Sequence, residues 1–358
     1  MSGLHTAFCD LVGVRYPIVQ TGMGWVSGPR LTAATSAAGA FGILASATMT
    51  FTELEAAIAD VRARTTAPFG VNLRADQPDI ERRVDLLIAA RVRLASFAQA
   101  PSKAVITRLK DAGIVTMPTI GARRHAEKVA AWGVDAVIAQ GHEGGGHTGS
   151  VPTSLLIPQV VDAVRIPVLG AGGFTDGRGL VAALAWGAAG IAMGTRFLLT
   201  QESPVPDAIK QIYLQTDVNG TVVTRSIDGY PQRVVRTPII ERLERAGLGA
   251  PVRALRHALA FRKLTRTSLF DLAREGLAMK QNQELTWSQL AMAANAPMMT
   301  RASMVEGRAE VGILPTGQGV GVIDDLPTVA ELISRIVTQA EATLARLAPR
   351  RLEHERSA

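Results

Sequence analysis

Cysteine is almost missing from this chain of 358 residues: Cys9 stands alone, so no disulfide can close within it. One isolated thiol suits a reducing cytoplasm, and no motif around Cys9 marks it as reactive. Long apolar runs are missing too. The longest uncharged stretch weighed as a membrane span, Gly179 to Thr195, has 17 residues, and Gly187, Gly190 and Gly194 divide it into a helix followed by a strand. Asp10 and Arg15 come too early to leave an apolar leader core, so no secretory signal is expected. The expectation is a soluble, cytoplasmic protein with no membrane partner.

Aromatic residues are few, 4% of the chain, while hydrophobic residues make up 47% and charged ones 19%, a balance that builds a core and excludes global disorder. The net charge of +7 sits in one place. Eleven Lys or Arg between Arg233 and Lys280 face four acidic residues, which accounts for the whole excess. Such a segment reads as a solvated helical face, as a rim for an anionic ligand, or as a nucleic-acid surface. Stacking aromatics are sparse there, so a nucleic-acid partner is not expected.

What the sequence does have is a strand-then-helix rhythm. Apolar runs at Tyr16–Gln20, Phe41–Leu44, Phe69–Leu73, Val92–Phe97, Ile114–Pro118, Asp135–Gln140, Pro167–Ala171 and Gly190–Arg196 predict eight strands, separated by helical segments. One helix is expected to start at Thr52, with Glu55 completing a capping box. Eight such units predict an α/β protein, a (β/α)₈ TIM barrel rather than an open sheet. Residues 1–216 are assigned to the barrel. Residues 217–306 form a small basic, mostly helical cap with Thr221–Ser226 as a possible strand, and 307–358 return to the barrel with a C-terminal helix.

Glycine is concentrated where such a barrel works, in the loops after its strands. Gln140-Gly-His-Glu-Gly-Gly-Gly-His-Thr-Gly149 puts four glycines within six residues, together with two imidazoles and a carboxylate. It reads as a ligand loop or, less richly, as a tight turn. His142, Glu143 and His147 lack the helical spacing of a metal site, and general acid–base work suits an imidazole better. His147, beyond the flexible glycines, is the better catalytic candidate; His142 lies nearer the strand and reads as structural. Gly170-Ala-Gly-Gly173 and Met193-Gly-Thr195 end the seventh and eighth strands, where barrels often hold a phosphate with backbone amides. Gly22-Met-Gly24-Trp-Val-Ser-Gly28 is one residue too long for a dinucleotide fingerprint, and no acid ends the second strand.

These segments, with Pro17-Ile-Val-Gln-Thr-Gly-Met23, Pro68-Phe-Gly-Val-Asn72 and Gly317-Gln318, resemble the nitronate monooxygenase (2-nitropropane dioxygenase-like) flavoproteins, in order and over almost the whole chain. The resemblance implies a barrel holding FMN non-covalently. It implies Gly22 and Met23 beside the flavin ring, Asn72 and Gln140 bonding FMN, and Gly145 approaching it. Gly172, Gly173, Gly194 and Thr195 would hold the phosphate, His147 would be catalytic, and Gly317 and Gln318 would lie near the active site. No metal is implied.

A narrower resemblance rests on Pro17-Ile-Val-Gln-Thr-Gly-Met-Gly-Trp-Val26, on Gly42-Ile-Leu-Ala-Ser-Ala-Thr-Met49 and on Leu285-Thr-Trp-Ser-Gln289 followed by Met292-Ala-Ala-Asn295. It points to the IpdC-type branch, associated with degradation of steroid rings C and D. The implied substrate is a hydroxylated methyl-oxo-indane carboxyl-CoA thioester, and the implied reaction is oxidation of a carbon–carbon single bond. Nitronate oxidation and NAD(P)H-dependent enoyl-thioester reduction are the alternatives. The electron acceptor is left open, as is the oligomeric state, a homo-oligomer included.

Overall fold

The protein is described here by a computed structural model, which describes residues 3–245 and 287–348. Eight short strands, buried along most of their length, close on one another in parallel register. They are β1 (Ile18–Gln20), β2 (Phe41–Ala45), β3 (Phe69–Leu73), β4 (Leu94–Phe97), β5 (Val115–Ile120), β6 (Val137–Gln140), β8 (Val168–Ala171) and β9 (Gly190–Met193), with β9 hydrogen-bonded back to β1. Near-continuous burial is what parallel strands covered by helices require, and it explains the unbroken apolar runs. The interior is packed by Val19, Phe41, Ile43, Leu94, Met117, Ile138, Leu169 and Ala192. It is a filled core and not a pore.

A second sheet interrupts the rhythm. β7 (Gly146–His147) leaves the loop after β6 and pairs antiparallel with β11 (Gln232–Val235), which in turn pairs with β10 (Thr221–Thr224). The region after residue 217 therefore opens with a β-hairpin bonded to the glycine loop. The middle of the expected basic cap, residues 246–286, lies outside the described residues, as does the Leu285 end of the narrower motif. Helix Trp287–Met304 follows, and Thr316-Gly317 then returns to the barrel. The last helix, Val329–Leu347, lies so close to helix Gly177–Ala185 that a Cβ on Gly177 would strike the backbone of Gln339 and Ala340.

Two local expectations shift. The helix after β2 is capped by Thr50, not Thr52: the Thr50 hydroxyl accepts from the Glu53 N–H at 3.3 Å, and Glu53 accepts from the Thr50 N–H at 2.7 Å. The last barrel strand stops at Met193 and does not continue to Arg196. The chain turns at Gly194 into a four-residue helix, Thr195–Leu198, whose Arg196 is buried against Asp325. Among the described residues, no helix is long and apolar enough to cross a membrane.

Candidate active site

The loops at the C-terminal ends of the barrel strands converge. A side chain on Gly22 would collide with Asn72 of β3, and one on Gly194 would lie 3.3 Å from the Met23 sulfur. Gly317 donates its N–H to the Thr195 hydroxyl at 2.8 Å, and Gln318 donates its own to the Glu143 carbonyl at 2.9 Å. Gly145 faces the same return segment: a Cβ there would stand 2.5 Å from the Gly317 nitrogen. Gly172 borders Gly144 and Thr153, completing the ring of contacts. Gly22, Met23, Asn72, Gln140, Gly145, Gly172, Gly173, Gly194, Thr195 and Gly317 are thus gathered at one end of the barrel.

Their polar groups differ in what they still offer. Among the described residues, the backbone N–H groups of Gly172, Gly173 and Gly194 donate to no protein acceptor, nor do those of Thr195 and Arg196, whereas Phe197 and Leu198 both donate to the Gly194 carbonyl at 2.9 Å. Gly172 (φ 101°) and Gly173 (φ 79°) are both left-handed, a backbone path that glycine takes without steric cost. Unpaired amides on two neighbouring loops suit a bound anion. Several side chains are already engaged. Asn72 Nδ2 donates to Ser96 at 3.0 Å, Gln140 Nε2 to the His147 carbonyl at 2.7 Å, and Gln318 Nε2 to the Val218 carbonyl at 3.2 Å. The Gln318 amide is therefore directed at the connection into β10.

The glycine loop sorts its own ionisable groups. His142 uses Nδ1 to reach the Gly149 carbonyl at 2.8 Å, tying the two ends of the loop. Glu143 accepts from the Thr153 N–H at 2.9 Å and hydroxyl at 2.7 Å, which caps helix Thr153–Ala163. Arg233, the first residue of the basic segment, is buried; it donates to the His142 carbonyl at 3.1 Å and to Thr221 at 2.9 Å. It ties the loop to the hairpin and takes no part in a surface rim. Burial pulls its guanidinium below the ordinary value, against the opposing charge of Glu143. Among the described residues no group of three His, Cys, Asp or Glu is placed to hold a metal.

His147 is left exposed, 64% of its side chain, with Nε2 2.8 Å from Asp228 Oδ2. Asp228 comes from the β10–β11 turn, 81 residues along the chain. Gln232, opposite His147 in the strand register, donates to the same carboxylate oxygen and stands 3.1 Å from Nε2. Tyr230 meets the imidazole edge to face, with ring centroids 6.0 Å apart. Burial would push the Asp228 carboxyl up, but the hydrogen bond and charge of His147, the Tyr230 amide and Gln232 together hold it below its ordinary value. None of these three partners was expected from the sequence. Asp228-Gly229 between two β-prone runs does signal a hairpin, yet nothing local says which loop that hairpin meets.

A family model described as nitronate monooxygenase matches residues 5–83 and 79–339. The chain belongs to the nitronate monooxygenase family. It is therefore an enzyme, an oxidoreductase of a flavin-using family. A relative from Rhodococcus jostii, named (3aS,4S,5R,7aS)-5-hydroxy-7a-methyl-1-oxo-octahydro-1H-indene-4-carboxyl-CoA dehydrogenase, is 57% identical over 341 residues, 95% of this chain and 97% of its own. A Mycobacterium tuberculosis protein of the same name is 56% identical over 344 residues, 94% and 96% of the two chains. Among solved structures, FabK from Thermotoga maritima is 33% identical, with a TM-score of 0.81 over 96% of this chain and 98% of that one.

Proposed function

We propose that this nitronate monooxygenase family member is an FMN-dependent dehydrogenase of a hydroxylated methyl-oxo-indane carboxyl-CoA thioester, acting in steroid ring C/D breakdown. The observation that carries this reading is identity of 57% and 56%, nearly end to end, to two dehydrogenases named for that substrate. The amides of Gly172, Gly173, Gly194 and Thr195 would take the FMN phosphate, because they converge without protein acceptors. Gly22 and Met23 would border the ring on one side and Gly145 on another, with Asn72 and Gln140 as polar neighbours.

Bound FMN supplies a two-electron acceptor for the hydride that leaves the carbon β to the thioester. His147 is the base that removes the proton from the α carbon. It stands on the loop that also carries Gly145, so cofactor and base are fixed by one short segment. Release of both hydrogens from the CH–CH unit leaves the α,β-unsaturated thioester and an imidazolium. A second, external acceptor must then take the electrons before the next turnover.

Anaerobic titration of the yellow holoenzyme tests the reading. Bleaching of the flavin by the indane carboxyl-CoA ester, and not by an alkyl nitronate, is the expected result. Bleaching by nitronate alone would replace this function with nitronate oxidation, which the family's name favours. Bleaching by NAD(P)H with recolouring by an enoyl thioester would reverse the direction.

A further inference from the structure

The hairpin at residues 221–235 shares no segment with the barrel loops, yet its turn is placed with more bonds than a mere connection needs. Ile227 is buried among Val234, Ile240, Met299 and Ile313, which anchors the turn from below. The Tyr230 N–H donates to Asp228 Oδ1 at 3.1 Å, so one carboxylate oxygen is committed to its own turn. Its other oxygen faces His147 and Gln232. The Thr148 N–H donates to the Pro231 carbonyl at 3.1 Å, and Arg233 reaches the His142 carbonyl, so the histidine loop is clamped to the hairpin on both sides of the pair.

Only one assignment of protons satisfies this cluster. The Gln232 amide nitrogen and the imidazole Nε2 both lie on Asp228 Oδ2, and a carboxylate only accepts. Nε2 therefore carries a hydrogen, and its 3.1 Å approach to Gln232 is that of two donors sharing one acceptor. In the neutral ring this leaves Nδ1 as the lone-pair atom, and among the described residues no protein group bonds to Nδ1.

We propose that Asp228 is the positioning residue of the active site, holding the Nε2 proton of His147 so that Nδ1 is the atom that accepts the substrate proton. Gln232 supports it by occupying the rest of Oδ2, and Tyr230 limits rotation of the ring from its edge. The carboxylate also faces the imidazolium once the proton has arrived, with Oδ2 2.8 Å from Nε2. The consequence for turnover rests on the reading of His147 as the base; the tautomer does not.

Two measurements on the flavin-loaded holoenzyme test the assignment. ¹⁵N spectra of histidine-labelled protein, with the His147 signal identified by its loss in H147A, should show the neutral ring protonated at Nε2. In D228A that preference should disappear. D228N should lower kcat by about 10²-fold, the lower end of what a positioned acid–base group contributes, with KM and flavin content nearly unchanged. A wild-type ring protonated at Nδ1 overturns the proposal. So does D228N with wild-type kcat while H147A is inactive, or a D228N defect that falls on flavin content and KM instead. A fully active H147A would remove the functional reading, and the spectra would then decide on the pair alone.

Discussion

Two neighbouring parts of the active site are built from opposite materials. The proposed phosphate cradle at the ends of β8 and β9 is main chain: Gly172, Gly173 and Gly194 offer only amides, left without protein acceptors among the described residues. The pair beside it is all side chain, an imidazole from β7 held by a carboxylate from the β10–β11 turn. A cradle of amides is fixed by where the strands end, so it comes with the barrel. A side-chain pair between distant segments has to be placed by extra structure, and the three-stranded sheet β10-β11-β7 supplies it. The two parts should therefore fail differently.

The widest separation is expected from His147→Ala. Loss of the base should lower turnover by on the order of 10²–10⁴, while the amides keep the flavin and the protein stays yellow. Loss of the flavin in this variant would show that the two parts are not independent. Gly145→Ala probes the other side. Its Cβ would stand 2.5 Å from backbone atoms of Thr316 and Gly317, which cannot rotate away as a side chain could. A cost of about 1–3 kcal/mol in stability is expected, with loss of bound flavin, read by thermal unfolding and by absorbance of the purified protein.

A pH series sharpens the comparison further. The Asp228 carboxyl is held below its ordinary value in the folded protein, mainly by His147 against the opposing effect of burial. Its contribution to stability is then complete above the unfolded value, ~3.9, and is lost as pH falls through the lower folded value. The stability gap between wild type and D228N should accordingly narrow as pH falls below ~4. A gap that widens as pH falls below ~4 would contradict the sign.

The glycine turns at the strand ends were legible in the sequence and the His147–Asp228 pair was not, for a physical reason. Gly170-Ala-Gly-Gly173 follows an apolar run and precedes a helix, and that local order alone places it at a strand end. His147 was legible as a candidate because it stands in the glycine loop. Asp228 was not, since its role depends on the register that sets Gln232 opposite His147, a through-space fact that no spacing encodes. Arg233 misleads in the same way: it counts toward the basic segment but is spent on a buried tie to His142. The end of β9 was read three residues too long because Thr195 and Phe197 are β-prone and continue the run past Gly194, where the chain in fact turns into a helix.

The smallest effect concerns a choice the sequence leaves even. Thr50 and Thr52 each have a glutamate three residues on, so two capping boxes overlap. Starting at Phe51 lets the helix bury Leu54, Ala57, Ile58 and Val61 on one face, and Thr50 becomes the cap. Thr50→Ala should then cost about 1 kcal/mol in stability, whereas Thr52→Ala, inside the first turn, should change little. Neither should alter turnover, because the cap lies on the helix after β2 and touches neither the amide cradle nor the His147 pair. If Thr50→Ala slowed turnover at unchanged flavin content, the rim after β2 would be coupled to the histidine, and the division of the site into two separable parts would have to be redrawn.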